Sequence, residues 1–300
     1  MHLTFRIVLA SAVALLMTME AAAVDVVELT VKDIEAGLAS SEFTITELVE
    51  SYFDRVDAYE EYYNVFTNIN PDALADAAAL DTEYQTTGPR SRLHGVPVLI
   101  KDSMNVAGMP TTGGWSGFVD PADGGTGVYL IAEEDAAMVK RLRDAGAVIM
   151  GKTNMPVFAL TGSNANNSFY GPSFNSYDRA VIPGGSSTGS AVGTSLSFAT
   201  LGLAEETGGS IQHPAGANAL VGVKTSFGLV ATSGGIPLTG STRDVFGPVA
   251  KTVYDAAATL DVIAGFDTSD FKTFASVGNI PTDGYVAGLS DTALQGKRIG

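Results

Sequence analysis

The apolar positions of the chain fall into two periods, and their alternation predicts the architecture. Residues 29–66, "LTVKDIEAGLASSEFTITELVESYFDRVDAYEEYYNVF", carry Leu48, Tyr52, Val56 and Tyr59 at helical spacing and predict two amphipathic helices. Thr44-Ile45-Thr46-Glu47 fits a capping box at the start of the second. "PDALADAAALDTEY" predicts a further helix opened by Pro71. The texture then changes to a short β-rich run, Val96 to Ile100, that ends at Lys101-Asp102. "EEDAAMVKRLRDAGAVIMGKTNM" reads as a helix stopped by Gly146 and a strand from Ala147 to Gly151. Residues Ala191 to Ala204 are small and apolar throughout and predict a buried helix; "TVYDAAATLDVIAGF" predicts another. Helices alternating with short apolar strands mean an α/β fold with a sheet covered on both sides. No repeat, heptad or low-complexity tail interrupts it, so residues 24–300 are assigned to one domain. "ALQGKRIG" predicts the opening of another strand at Arg298-Ile299, which suggests a chain incomplete at its C-terminus.

Composition narrows what such a domain does. With 45% hydrophobic and 17% charged residues, the 300-residue chain can bury a large core. A formal charge of −16 and the lack of any basic run argue against a nucleic-acid partner. Near the start, Arg6 precedes the apolar run Ile7 to Met17, too short for a bilayer span, which needs about 20 residues. Ala21-Ala22-Ala23 supplies a small-residue cleavage pattern, so residues 1–23 are expected to be a secretory signal, leaving no stable membrane anchor. A buried N-terminal helix or an uncleaved anchor is the alternative. Asn166-Asn167-Ser168 is a glycosylation sequon, in keeping with secretion. The chain has no Cys, which removes disulfides, zinc-thiolate sites and a Cys nucleophile together.

Two Gly/Ser clusters carry the candidate chemistry. "PGGSSTGSAVG" (Pro183 to Gly193) can be read as a flexible linker, but not as a phosphate-binding loop, because no Lys follows its second glycine. Gly185-Ser186-Ser187-Thr188-Gly189 also fits the G-x-S-x-G elbow, which would make Ser187 the nucleophile of a hydrolase. Only His213 lies downstream to serve it, with Glu205 and Glu206 crowded just before, which makes that reading poor. With so few histidines, the base for a serine nucleophile falls to lysine, whose ammonium is destabilised where it is buried. Lys101 follows the apolar strand "VPVLI" and Lys224 follows "LVGV"; for Lys101, a plain salt bridge to Asp102 is the structural alternative. The second cluster, "GLAEETGGSIQHPAGANALVG", sets Gly208 and Gly209 before Ser210.

In order, "GVPVLIKDSMNVAGMPTTGG", "AGAVIMGKTNMPVFA", "PGGSSTGSAVG", "ETGGSIQHPA" and "RDVFGPVAKTVYDAA" resemble the blocks of the amidase signature family, from about Leu29 to the end of the chain. The resemblance implies that family's fold, a mixed central sheet with helices on both faces, and a Ser-Ser-Lys triad. Ser210 would be the nucleophile, Ser186 the bridging serine preceded by a cis peptide bond, and Lys101 the base; Ser186 and Ser210 have the 24-residue separation the pattern requires. The backbone N–H groups of Thr207, Gly208, Gly209 and Ser210 would form an oxyanion hole, which side chains would otherwise obstruct. No metal or organic cofactor is implied, and the partner is a small-molecule amide.

The family's usual "GTDTGGSIRxPA" stands here as Ala204-Glu205-Glu206-Thr207-Gly208-Gly209-Ser210-Ile211-Gln212-His213-Pro214-Ala215. Glu206 keeps the acid with one more methylene, and Gln212 replaces the common Arg. That replacement points either to a neutral substrate or to a lost structural ion pair. "KPT" has become Lys224-Thr225-Ser226. Family members run well past the equivalent of Gly300, so the chain is expected to correspond to their first two-thirds. The expected function is a secreted amidase. The alternatives are a non-enzymatic protein on the same scaffold and the A-type component of a glutamine-dependent amidotransferase.

Overall fold

A computed structural model describes residues 23–239 and 242–298. The expected secretory signal and Ile299 lie outside these, apart from Ala23 itself.

Both N-terminal helices form as the apolar spacing predicts, α1 over Val31–Ser40 and α2 over Ile45–Tyr63. Thr44 and Glu47 close the expected capping box, and Thr30 with Asp33 closes a second one in front of α1. Each box satisfies N–H groups that the first helical turn leaves without partners. Leu48, Tyr52 and Val56 are buried, whereas Tyr59 is 45% exposed, so the core-facing stripe stops short of it. Helix α3 (Ala73–Thr87) begins after the N-cap Asp72, which leaves Pro71 outside rather than in the first turn.

The sheet holds six strands: β1 (Phe66–Ile69), β2 (Pro97–Lys101), β3 (Val148–Thr153), β4 (Leu201–Glu206), β5 (Val221–Gly222) and β6 (Val245–Ala250). Their order is β1-β3-β2-β4-β6-β5. The pairs β3–β2 and β2–β4 are parallel; β1–β3, β4–β6 and β6–β5 are antiparallel, so the sheet is mixed. Every residue of β2, β3, β4 and β6 is buried. Successive side chains point to opposite faces, so both faces are covered, and these strands read as apolar runs rather than alternations. Helices flank the sheet, with α4 (Ala137–Asp144) against α7 (Val253–Ile263) and α5 (Thr188–Ser195) over β2 and β4.

The apolar stretch 191–204 is not one helix. Helix α5 ends at Ser195, Ser197 turns the backbone at φ 56°, and β4 starts at Leu201. Small residues serve both pieces because helix and strand approach closely. A Cβ on Gly202 would lie 3.0 Å from the Ser190 carbonyl oxygen of α5. Small size, not helical periodicity, is what this stretch encodes. At the other end, Arg298 belongs to no strand.

The C-terminal end of β2 carries Lys101 and Asp102 side by side, but they do not pair. Asp102 instead meets Lys152 of β3 at 3.1 Å, with both side chains fully buried. Lys152 also donates to the Pro110 carbonyl at 2.9 Å and to Thr111 Oγ1 at 3.0 Å, and Thr112 Oγ1 donates to Asp102. Removing one partner of such a pair strands a buried charge. Asp102→Ala is expected to destabilise the fold by about 3–5 kcal/mol in urea-unfolding measurements, and an unchanged midpoint would contradict this account of the pair.

Candidate active site

Three chain segments converge beyond the end of β2. The first is Lys101, the last residue of a central strand and fully buried. Its Nζ donates to Ser186 Oγ at 2.8 Å and to the Glu205 carbonyl at 3.3 Å. Burial pushes the Lys101 amine below the usual lysine range, against the opposing pull of the Glu205 carboxylate. The expectation of a salt bridge to Asp102 therefore gives way to a contact with a serine hydroxyl. Lys224 is exposed and takes no part.

The second segment is the loop from Pro183 to Ser187 that leads into α5. Its Gly185–Ser186 peptide bond is cis. Gly184 adopts φ +75° against the backbone of His213 and Pro214, where a Cβ would sit 2.6 Å from Pro214 Cα. Only glycine fits both demands. Ser186 and Ser187 are both fully buried but have different tasks. The Ser187 hydroxyl donates to the Glu205 carbonyl at 3.0 Å and accepts from the Glu205 N–H at 3.2 Å. It is tied to the edge of β4 and does not present the exposed oxygen that an elbow nucleophile needs.

The third segment is the turn from Thr207 to Ile211, between β4 and the short helix α6 (Gln212–Ala217). Ser187 N–H donates to the Ser210 carbonyl at 3.2 Å, which locks this turn to the serine loop. Ser210 is 6% exposed. Glu206 shapes the turn: its carboxylate accepts from Ile211 N–H at 2.9 Å, Gln212 N–H at 3.1 Å and Gln212 Nε2 at 2.6 Å. Burial pushes the Glu206 carboxyl up, but the N–H groups of Ile211, Gly209 and Gln212 outweigh it and hold it below the usual range. Gln212 thus takes up the acid of its own turn by a hydrogen bond instead of an ion pair.

The paired glycines do different work. Gly209 has φ +102°, and a Cβ there would lie 2.6 Å from His213 Cε1, so the fold itself demands glycine. A Cβ on Gly208 would meet nothing within 4 Å, so its surroundings are open. Of the four expected oxyanion donors, the Gly209 N–H is turned toward Glu206. Among the described residues nothing accepts from the N–H groups of Thr207, Gly208 and Ser210.

In the sequence, Glu205 stands out only as a candidate acid for a Ser-His arrangement. Its carboxylate instead lies 3.5 Å from Lys101 Nζ, with side-chain exposures of 3% and 0%. Adjacent residues at a strand end face opposite ways, which is the signal that could have separated Glu205 from Glu206. His94 is buried in the scaffold, its Nε2 at 3.1 Å from the Leu80 carbonyl, and His213 is exposed with its ring against Gly209. Among the described residues no group of three or more His, Asp or Glu side chains could hold a metal ion.

Of the three residues of the implied triad, Lys101 meets Ser186 directly, while Ser210 reaches the serine loop through its backbone carbonyl. The Amidase family model matches residues 47–300, and the chain belongs to that family. The A-type component of the glutamyl-tRNA(Gln) amidotransferase of Alkaliphilus metalliredigens is 38% identical over 274 residues, 91% of this chain and 53% of that protein. A probable amidase of Arabidopsis thaliana is 34% identical over 282 residues, 91% of this chain and 53% of its own. Among solved structures, the native peptide amidase from Stenotrophomonas maltophilia superposes with a TM-score of 0.79 at 36% identity, over 90% of this chain and 54% of that one. The chain spans about half the length of the relatives it matches, where the motif blocks had suggested two-thirds.

Proposed function

We propose that this protein hydrolyses a carboxylic amide through an acyl-enzyme on Ser210. The observation that carries the reading is the fully buried Lys101 Nζ at 2.8 Å from Ser186 Oγ. As a neutral amine, Lys101 takes the Ser186 proton while Ser186 takes the proton of Ser210. The Ser210 oxygen bonds to the amide carbon, and negative charge gathers on the carbonyl oxygen. The N–H groups of Thr207, Gly208 and Ser210 are the donors for that oxygen, each such donor being worth about 3 kcal/mol in the transition state. The C–N bond breaks as the leaving nitrogen accepts the relayed proton, and water then releases the acid by the same relay. Gln212, engaged with Glu206, offers no cation to a substrate carboxylate, which favours a neutral amide. A panel of small neutral carboxamides, assayed for released ammonia or amine, tests this; turnover of none would overturn it.

The rate depends on pH through Lys101. Burial lowers its pKa, so the neutral amine prevails above that lowered value and the ammonium below it. Hydrolysis is therefore expected to fall as pH drops through it, and a pH profile of kcat/KM without an acid limb would contradict the assignment.

The similarity to the A-type components of amidotransferases supports a second reading, ammonia release from glutamine within a larger assembly. Glutamine turnover that appears only with the other components of such an assembly added would favour it. For location, the run Ile7 to Met17 followed by Ala21-Ala22-Ala23 supports export with cleavage after Ala23, and Asn166 of the sequon is exposed. An N-terminus at Val24 in protein recovered from culture medium is the expected outcome.

A further inference from the structure

Lys101 has a second buried partner that the proton relay does not use. The Glu205 carboxylate lies 3.5 Å from its Nζ, and Ser103 Oγ donates to the same Oε2 at 2.5 Å. We propose that Glu205 is a positioning residue for Lys101: its carboxylate anchors the amine and holds it against Ser186. The inference rests on the reading of Lys101 as the base.

The geometry leaves Lys101 few other charges. Glu206 and Asp244 contribute weaker negative fields, and Lys152 is committed to Asp102 on the neighbouring strand. Glu205 also lines a cavity of about 270 Å³ together with Asp244, Asp270 and Lys272. Burial holds the Glu205 carboxyl above the usual carboxylate range, against the pull of Lys101 and the Ser103 hydroxyl toward its ionised form. An anion at this distance stabilises the lysine ammonium, so it works against burial. Take the anion away and the ammonium loses its support. Lys101 then stays neutral to lower pH, and the acid limb of the reaction moves down with it.

The test is a 15N NMR titration of lysine Nζ in the protein and in Glu205→Gln and Glu205→Thr, with the Lys101 signal assigned by its loss in Lys101→Met. In parallel, the rate at which a fluorophosphonate probe labels Ser210 is followed against pH. Both the Lys101 midpoint and the labelling limb are expected to shift to lower pH by about one unit or more, a tenfold change in the ammonium's stability. A merely structural Glu205 would lower the labelling rate equally at all pH values and leave both midpoints in place, which overturns the inference. Should Glu205→Gln fail to fold, Glu205→Thr decides, since it also removes the carboxylate and leaves a smaller hydroxyl in its place. If the Lys101 midpoint moves but Ser210 is labelled at no pH, the coupling of Glu205 to Lys101 is upheld while the catalytic reading, and with it the positioning of a base, is overturned.

Discussion

Ser210→Ala is expected to abolish amide hydrolysis, lowering kcat by about a millionfold, the scale of loss when a serine nucleophile is removed. The fold should survive the change. Ser210 holds its place through backbone contacts, its carbonyl accepting from Ser187 N–H, and no other described side chain depends on its hydroxyl. The melting temperature should therefore stay close to that of the parent protein. Loss of activity together with loss of folding would return Ser210 to a structural role. Ser187→Ala should show the reverse balance. Its hydroxyl bridges the Glu205 N–H and carbonyl, so the variant is expected to lose stability first and activity only in consequence.

Lys101→Ala is expected to cost as much activity as Ser210→Ala, because residues that act as one relay do not contribute additively. Lys101→Arg should be no better. A guanidinium remains protonated throughout the working pH range, so it presents a cation where the relay needs a free lone pair. It would also be forced into a site with no solvent access, between Ser186 and the Glu205 carboxylate. An active Arg variant, assayed on the same amide as the parent, would sink the assignment of Lys101 as base. Lys152→Arg is the instructive comparison. Lys152 is equally buried and its amine is also pushed down, yet it faces Asp102 and the Pro110 carbonyl rather than a serine, so changes there should appear as stability rather than as a pH-dependent rate.

The regular parts of this fold were legible because local signals agreed with the tertiary structure. The capping box at Thr44 and the helical stripe Leu48-Tyr52-Val56 mark α2, and "VPVLI" marks β2, to within a residue or two. Stretch 191–204 misled because close approach of α5 and β4 selects small residues in both, and smallness carries no period. Strand β1 gave no signal of its own. Its four residues, Phe66–Ile69, have three partly or fully accessible positions, and its pairing with β3 is irregular. Within the candidate site, glycine spacing and serine positions could be read from the sequence, since backbone demands at Gly184 and Gly209 are met by one residue type. What could not be read was which carboxylate faces which group. Glu205 and Glu206 are neighbours in sequence, yet one meets Lys101 and the other folds the turn before α6. Asp102 is next to Lys101 in sequence and pairs with Lys152 in space.

The most direct test of the Lys101–Ser186–Ser210 relay is to treat the protein with a fluorophosphonate and locate the adduct by tandem mass spectrometry. A phosphonyl group on Ser210, formed faster as pH rises and absent from Lys101→Ala, is the predicted result. An adduct on Ser187, or labelling of Ser210 that persists unchanged without Lys101, would contradict the account.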